Sequence, residues 1–427
     1  MTSRYLIRGG CVLTLAAKTP NFPEADVLVE DGRITEVGPR LRARDAEVVD
    51  AADAIVMPGF VDSHRHLWKT LFRNLGTTGS NALDPELLTP EDVYAAALIG
   101  LLGAAAAGIT TVVDWADVAI DEARTDALLH AYADAGLRTV LIHPVPTTRT
   151  DPGAELRTLA GRMSTDGALT TLAVGSPDLS RANQDRIADD WQLARELGLR
   201  IHAHAGIDAA EAGFVAEMAG MNLLGDDVTL VHCTHLSDLD LDAVAAGHAS
   251  VAVTPAAEMA NGLGSPPLQK LLDRRIEPGL GVDDELVAPG DMFVPMRAGN
   301  SIQHAAYFDL KLAGKAGLPN LLTTRDVIGY ATGVGARAAG LGAVTGSLEP
   351  GKQADLVVFR TGRRNIYPVN DPIGAVVWGM DPSNVDWVFA AGHPVVRAGT
   401  PVADAADVRT GATAARDRVM AAAGARA

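Results

Sequence analysis

Five of the eleven histidines in this chain fall at or beside the ends of three short apolar runs. His64 and His66 close the run Pro58-Gly59-Phe60-Val61-Asp62-Ser63-His64-Arg65-His66. In a strand, residues two apart point to one face, so both imidazoles can share one ion while Arg65 points the other way. Taken alone, this pair reads equally well as two surface histidines after a turn. The pattern repeats, however. His202 and His204 end a run at 200–204, His232 ends one at 228–232, and Asp283 ends one at 278–283. Neutral imidazoles with one carboxylate suit zinc or a similar divalent ion. Three or four protein ligands leave a position for water, as in catalytic rather than structural sites.

Other residues lie near these ends. Lys69 and Arg73 follow the first pair and can either reach a substrate or brace a loop. Trp115 and His143 each end an apolar run, and His235 follows His232 in Val231-His232-Cys233-Thr234-His235. Lys69, Trp115, His143 and His235 are the candidate substrate contacts, with a satisfied core position as the alternative for His143. His130, His248, His304 and His393 lie in helical or turn contexts and read as structural or solvated. Cys233 reads as a small buried residue turned away from the site.

Such groups need a scaffold that brings strand ends together. Strand candidates run over 55–66, 110–115, 138–143, 171–175, 200–204, 228–232, 250–254 and 278–283, with helical patterns such as 185–197 and 236–247 between them. Eight strand–helix units over ~280 residues predict a (β/α)8 barrel, an α/β fold whose catalytic groups sit at the C-terminal ends of its strands. A doubly wound open sheet is the rival, but the glycine-rich phosphate turn it favours after the first strand is missing. Both ends of the chain read differently, as short strands with turn dipeptides such as Asp31-Gly32 and Gly392-His393. The expected organisation is a composite β-sandwich from 1–57 and 343–401, a barrel over 58–342, and a helical tail over 402–427. Residues 93–113 carry no charge, a length that could span a bilayer. Their glycines and alanines predict a buried helix to Gly108, then a strand.

Composition narrows the function. The 427 residues are 48% hydrophobic and 21% charged, a globular balance. Lys and Arg number 36 against 53 Asp and Glu, a net charge of -17. That disfavours a surface built for nucleic acid or an anionic membrane, which needs clustered positive charge. Two cysteines, Cys11 and Cys233, make neither a disulfide framework nor a four-cysteine zinc site, which points to a reduced, cytoplasmic setting. The first residues do not read as a signal peptide. The expected partner is a small-molecule substrate, and a homodimer is the expected oligomer.

Met57 to His66, with Arg73 seven residues on, resembles the amidohydrolase superfamily, in particular its branch of heterocycle deaminases and chlorohydrolase-like enzymes. Gly346-Ser347-Leu348-Glu349-Pro350-Gly351-Lys352-Gln353-Ala354-Asp355-Leu356-Val357 resembles the segment that returns such chains to their β-sandwich, and Val385-Asp386-Trp387-Val388-Phe389 resembles its last hairpin. The resemblance implies that His64, His66, His204 and Asp283 hold the metal. Residues 171–175 contain no lysine to bridge a second ion, so one divalent metal per chain is expected, zinc first, with iron or manganese as alternatives. The implied activity is hydrolysis of a non-peptide carbon–nitrogen bond in a small, heterocyclic substrate. Asp283 would accept a proton from the activated water, and His232 would stabilise the developing oxyanion or the substrate carbonyl.

One position departs from the pattern. Deaminases of this branch carry a proton-shuttling glutamate three residues after the fifth-strand histidine, where this chain has Ile207, with Asp208 one step late. Glu258, four residues past the seventh strand where relatives often carry asparagine, is the candidate acid. A hydrolytic dehalogenase would not need strong amine protonation. A metal-dependent lyase such as a decarboxylase, or a non-catalytic binding protein, would use the same scaffold.

Overall fold

The computed structural model describes residues 4–76, 83–145, 152–163, 168–403 and 406–426. The chain first lays down β1 (Arg4–Val12), β2 (Phe22–Glu30), β3 (Arg33–Gly38), β4 (Glu47–Asp50) and β5 (Ala54–Pro58). It then enters eight strands: β6 (Phe60–Arg65), β7 (Ile109–Trp115), β8 (Arg138–Pro144), β9 (Thr170–Gly175), β10 (Arg200–Ala205), β11 (Val228–His232), β12 (Ser250–Val253) and β13 (Gly279–Leu280). These pair in sequence order, all parallel, with helices between them. This is the expected barrel. Every residue of β6, β7 and β11 is buried, as strands covered on both faces must be.

The chain returns through β14 (Leu356–Arg360), β15 (Val385–Ala390), β16 (His393–Arg397) and β17 (Thr400–Pro401). These complete a second, nine-stranded sheet with β1 to β5. The junction is β5 against β14, antiparallel from Ala54↔Arg360 to Pro58↔Leu356. Tyr5, Val27, Val56, Leu356 and Phe389 fill its separate core. The buried pair Arg138–Asp355, 2.8 Å apart, ties this sheet to the base of β8.

The run at 55–66 was expected to be one strand, and it is two. Gly59 separates β5 in the small sheet from β6 in the barrel. Its amide bonds the Asp355 carbonyl, and Phe60 bonds Gly108. A Cβ at this position would lie 2.1 Å from the Thr110 side chain, so only glycine lets the chain cross between sheets here. The eighth strand is also shorter than expected, two residues rather than six, because Gly281 to Asp283 lean onto β6 in another way described below.

The uncharged stretch forms the helix Pro90–Ala106 and then β7. Thr89 and Asp92 make a capping box at its start, and its small residues admit close neighbours. A Cβ at Gly100 would already crowd Thr70 and Leu67 of the 3-10 helix Leu67–Phe72, which follows the first histidine pair. Among the described residues no helix is long and apolar enough to cross a membrane. The terminal helix Ala406–Arg426 docks one face, including Ala415 and Val419, in the main core.

Candidate active site

The barrel's C-terminal mouth collects the histidines. His64 sits near the end of β6 and His66 just past it, their ring centroids 5.0 Å apart. His204 arrives from β10, its Nε2 3.3 Å from His64 Nε2. Asp283 arrives from beyond β13, its Oδ1 3.6 Å from His66 Nε2 and 3.9 Å from His64 Nε2. His232 closes β11, its ring stacked on His204 with centroids 5.3 Å apart. His232 and Asp283 hold φ of 72° and 70°, a region few non-glycine residues adopt, and one found often at functional sites. The backbone turns sharply at both strand ends, and these side chains line the mouth.

Carboxylates outside this cluster set the tautomers. Asp117, just past β7, takes His66 Nδ1 at 2.7 Å. Asp178, just past β9, takes His204 Nδ1 at 3.2 Å. Each leaves Nε2 free to face the centre, the arrangement by which outer carboxylates orient metal-binding histidines. Burial, reinforced by the surrounding imidazoles, holds His64 well below the usual histidine range. Burial also lowers His204, with His232 and His66 pushing the same way against Asp178. Burial alone would raise Asp283, but His232, Lys69, His66 and His204 hold it low. Two inward nitrogens in contact, both favouring the neutral form, beside an ionised carboxylate are a donor set that fits a divalent cation. His64, His66 and Asp283 form one geometrically competent triad, and His64, His204 and His232 another.

A cavity of about 550 Å³ opens above these groups. His66, His204, His232 and Asp283 form its floor. Trp115, Pro144, Val145 and Leu263 give it apolar walls, and Lys69, Asp117, Asp178, Arg186, Asn261 and Asp284 line it with polar groups. Trp115 stacks on His204 at 4.0 Å between centroids. Lys69 lies 3.6 Å from Asp284, which also accepts from Asn261.

The remaining candidates are placed as follows. Trp115 and Lys69 line the cavity. His235 does not: it is exposed on the loop after β11, beside Gly264. His143 is buried within β8 below the cavity wall made by Pro144 and Val145. Cys233 is buried, with burial raising its thiol pKa. His202 lies one layer beneath His204, fully enclosed, and burial with nearby Arg200 pushes its pKa down to about 3. Glu258 was expected on a loop facing substrate. It lies instead in the helix Pro255–Ala260, completely buried, with Oε1 3.1 Å from His232 Nδ1 and accepting from the Thr254 amide. Pro255 starts this helix immediately after β12, which carries the carboxylate inward behind His232 rather than into the cavity. Burial raises the Glu258 pKa. Burial alone would lower His232, but Glu258 and Asp283 raise it.

Asp117, Asp178 and Asp284 escaped the sequence reading. The strand-end rule that found the histidines would have found the first two, since they lie two and three residues past Trp115 and Gly175.

A parallel barrel with this donor set at its C-terminal mouth defines a metal-dependent hydrolase. The chain belongs to the amidohydrolase family, whose model matches residues 55–395. Among its relatives, the 5'-deoxyadenosine deaminase of Methanothermobacter thermautotrophicus is 29% identical, over 87% of this chain and 89% of the relative. The 5-methylthioadenosine/S-adenosylhomocysteine deaminase of Symbiobacterium thermophilum is 28% identical, over 92% and 93%. Two solved structures share the fold. An adenosine deaminase from Xanthomonas campestris with bound zinc superposes with a TM-score of 0.84 at 23% identity, over 98% of this chain and 99% of the other. The atrazine chlorohydrolase of Arthrobacter aurescens complexed with zinc gives 0.79 at 21% identity, over 96% and 100%.

Proposed function

We propose that this chain is a mononuclear zinc enzyme that removes an amino group from a small planar heterocycle of the adenosine type. The observation that carries this reading is the convergence of His64, His66 and His204 Nε2 with Asp283 Oδ1 beneath a cavity walled by Trp115. The deaminase names of relatives that span almost the whole chain support it. Those four residues would hold the ion. When bound, it would supply a water of lowered pKa and polarise the reacting carbon.

The chain's own groups do the rest. Trp115 offers a flat face for a ring, and the neighbouring apolar walls exclude solvent. Asp283 takes the proton of the attacking water. A carbon–oxygen bond forms, the carbon–nitrogen bond breaks, and ammonia must leave with a proton. Ile207 cannot give one. His232 can: its Nδ1 is held by Glu258, so its Nε2 faces the cavity. Glu258 touches no substrate from its buried place and acts through His232. The two free cysteines suit a reducing cytoplasm.

One observation favours a second reading. Ile207 leaves no carboxylate where this branch of deaminases shuttles protons, and expulsion of chloride needs none. The test is a panel of aminopurine nucleosides beside amino- and chloro-substituted triazines, with ammonia and chloride both assayed. Ammonia from the purine nucleosides supports deamination. Chloride release alone overturns it in favour of the second reading. Glu258→Gln keeps the side chain's size and should lower turnover on the order of 10²-fold with metal content unchanged. Near-normal turnover would remove the His232–Glu258 pair from proton delivery.

A further inference from the structure

Where β13 meets β6, the barrel wall has little strand pairing. Only one isolated bridge, Arg65↔Asp283, joins them in register. Two backbone bonds make that bridge, and one side-chain bond adds to it. The His64 carbonyl accepts from the Asp283 amide at 2.9 Å, and the Asp283 carbonyl accepts from the His66 amide at 2.7 Å. Asp62 accepts from the Val282 amide at 3.0 Å. Gly281 lies so close to His64 that a Cβ there would stand 2.7 Å from the His64 carbonyl.

Behind this backbone contact stands a buried ionic clamp. Arg65 has no exposed surface although it lies between two site histidines. Its guanidinium reaches Asp62 at 3.2 Å and also bonds Glu285, two residues beyond Asp283. Glu285 accepts in addition from Thr70 at 2.8 Å and from Arg73. The Asn74 amide bonds the Glu285 carbonyl at 3.0 Å. Gly290 closes over the pair, since a Cβ there would collide with both Arg65 and Glu285.

We propose that Arg65 and Glu285 are positioning residues for the metal centre, locking the Asp283 carboxylate to the His64–His66 pair as one rigid unit. The inference rests on the reading that these three residues hold the ion. Asp283 sits at positive φ beyond a two-residue strand, held to β6 by a single bridge rather than a continued ladder. The clamp fixes its direction from both sides, through Arg65 on the histidine strand and Glu285 on the carboxylate loop. A fork-shaped guanidinium suits the task because it engages two carboxylates at once and keeps its charge when buried. The clamp lies wholly outside the ligand cluster, so its effect reaches the ion only through geometry.

The test compares metal retention with fold stability. Removing one partner would leave a buried charge unpaired and unfold the seam, whereas replacing both by apolar residues of similar size often leaves stability intact. Arg65 also faces buried Asp62, so the informative variant is Arg65→Met with Glu285→Met and Asp62→Asn, which leaves no buried charge unpaired and keeps an acceptor for the Val282 amide. Zinc release from the loaded full chain into a chelator is measured for wild type and variant, beside thermal melting of the zinc-free and zinc-loaded forms. The expected result is release roughly 10-fold faster or more, the size of effect outer-shell partners have on metal affinity. The extra melting temperature conferred by zinc should shrink accordingly, because a ligand stabilises in proportion to how tightly the native state holds it. Unchanged release, with both forms melting lower by the same amount, overturns the proposal and leaves a structural seam only. If that variant does not fold, Glu285→Gln keeps the side chain's shape while removing the charge that Arg65 and Arg73 hold. Release faster than wild type at unchanged zinc-free melting then supports the proposal, and unchanged release overturns it. A wild type that takes up no zinc would instead refute the ligand assignment itself, a separate outcome.

Discussion

Between β7 and β9 the strands of the barrel wall are joined to one another by continuous backbone ladders with apolar side chains between them. The β8–β9 ladder runs without a break from Thr139↔Thr170 to Pro144↔Gly175, and Val113, Val140, Ile142 and Ala173 pack inside it. Between β13 and β6 the same wall depends on Asp62, Arg65, Glu285, Thr70 and Arg73. The first arc is held by generic forces that fix strand spacing and little else. The second is held by directional bonds that fix individual atoms. Only the second carries a residue held by a single bridge rather than a continued ladder, Asp283, and its neighbour strand carries both His64 and His66. In this barrel, regular pairing is given up where a side chain must point in an unusual direction.

Substitutions at the two arcs and around them should separate these roles. The largest effect is expected at His204. His204→Ala should lose the metal and with it nearly all turnover, while His202→Ala, one layer deeper, should keep the metal and mainly change stability. Elemental analysis of both purified proteins decides it, and equal loss of metal would mean that the ligand was misassigned or that both histidines bind. Next, Ile142→Val in the apolar arc should cost about 0.5–1.5 kcal/mol by denaturant unfolding, without altering metal content. A loss of metal there would show that the arcs are not independent. The smallest effect concerns Asp240, in the helix Asp238–Gly247 outside both arcs. Burial alone would raise its pKa, but the Ser237 hydroxyl and the amides of Gly213, Ala216 and Ser237 hold it low. A lowered carboxyl stabilises the fold above the ordinary Asp range near pH ~4, and that contribution disappears as pH falls through the folded value. Asp240→Asn should therefore be less stable than wild type at neutral pH, and the gap should close in acid. A gap independent of pH would show that lost hydrogen bonds, not charge, account for it.

Much of this was legible in the sequence because buried parallel strands are written as short apolar runs. The runs at 110–115, 138–143 and 200–204 match β7, β8 and β10 to within a residue or two. The ring of histidines was legible because strand ends converge in a barrel. Most of what escaped depends on tertiary contact. Gly59 ends a strand only because Thr110 stands beside it. Glu258 was placed on the right side of the barrel but facing the wrong way, because Thr254-Pro255, a cap followed by proline at the first helical position, was taken for a turn. His235, adjacent in sequence to the site, turns outward. The Arg65–Glu285 pair spans 220 residues, and neither partner signals the other.

The junction of β5 with β14 has a consequence for synthesis. Leu356 follows its partner Pro58 by 298 residues. At ~5–20 residues per second on a ribosome, the first strands wait for ~15 to 60 s before that edge is covered. Through that interval β5 offers unpaired amides and carbonyls along an apolar face to any nascent chain nearby. The strands translated first are therefore completed only after the whole barrel segment has been made.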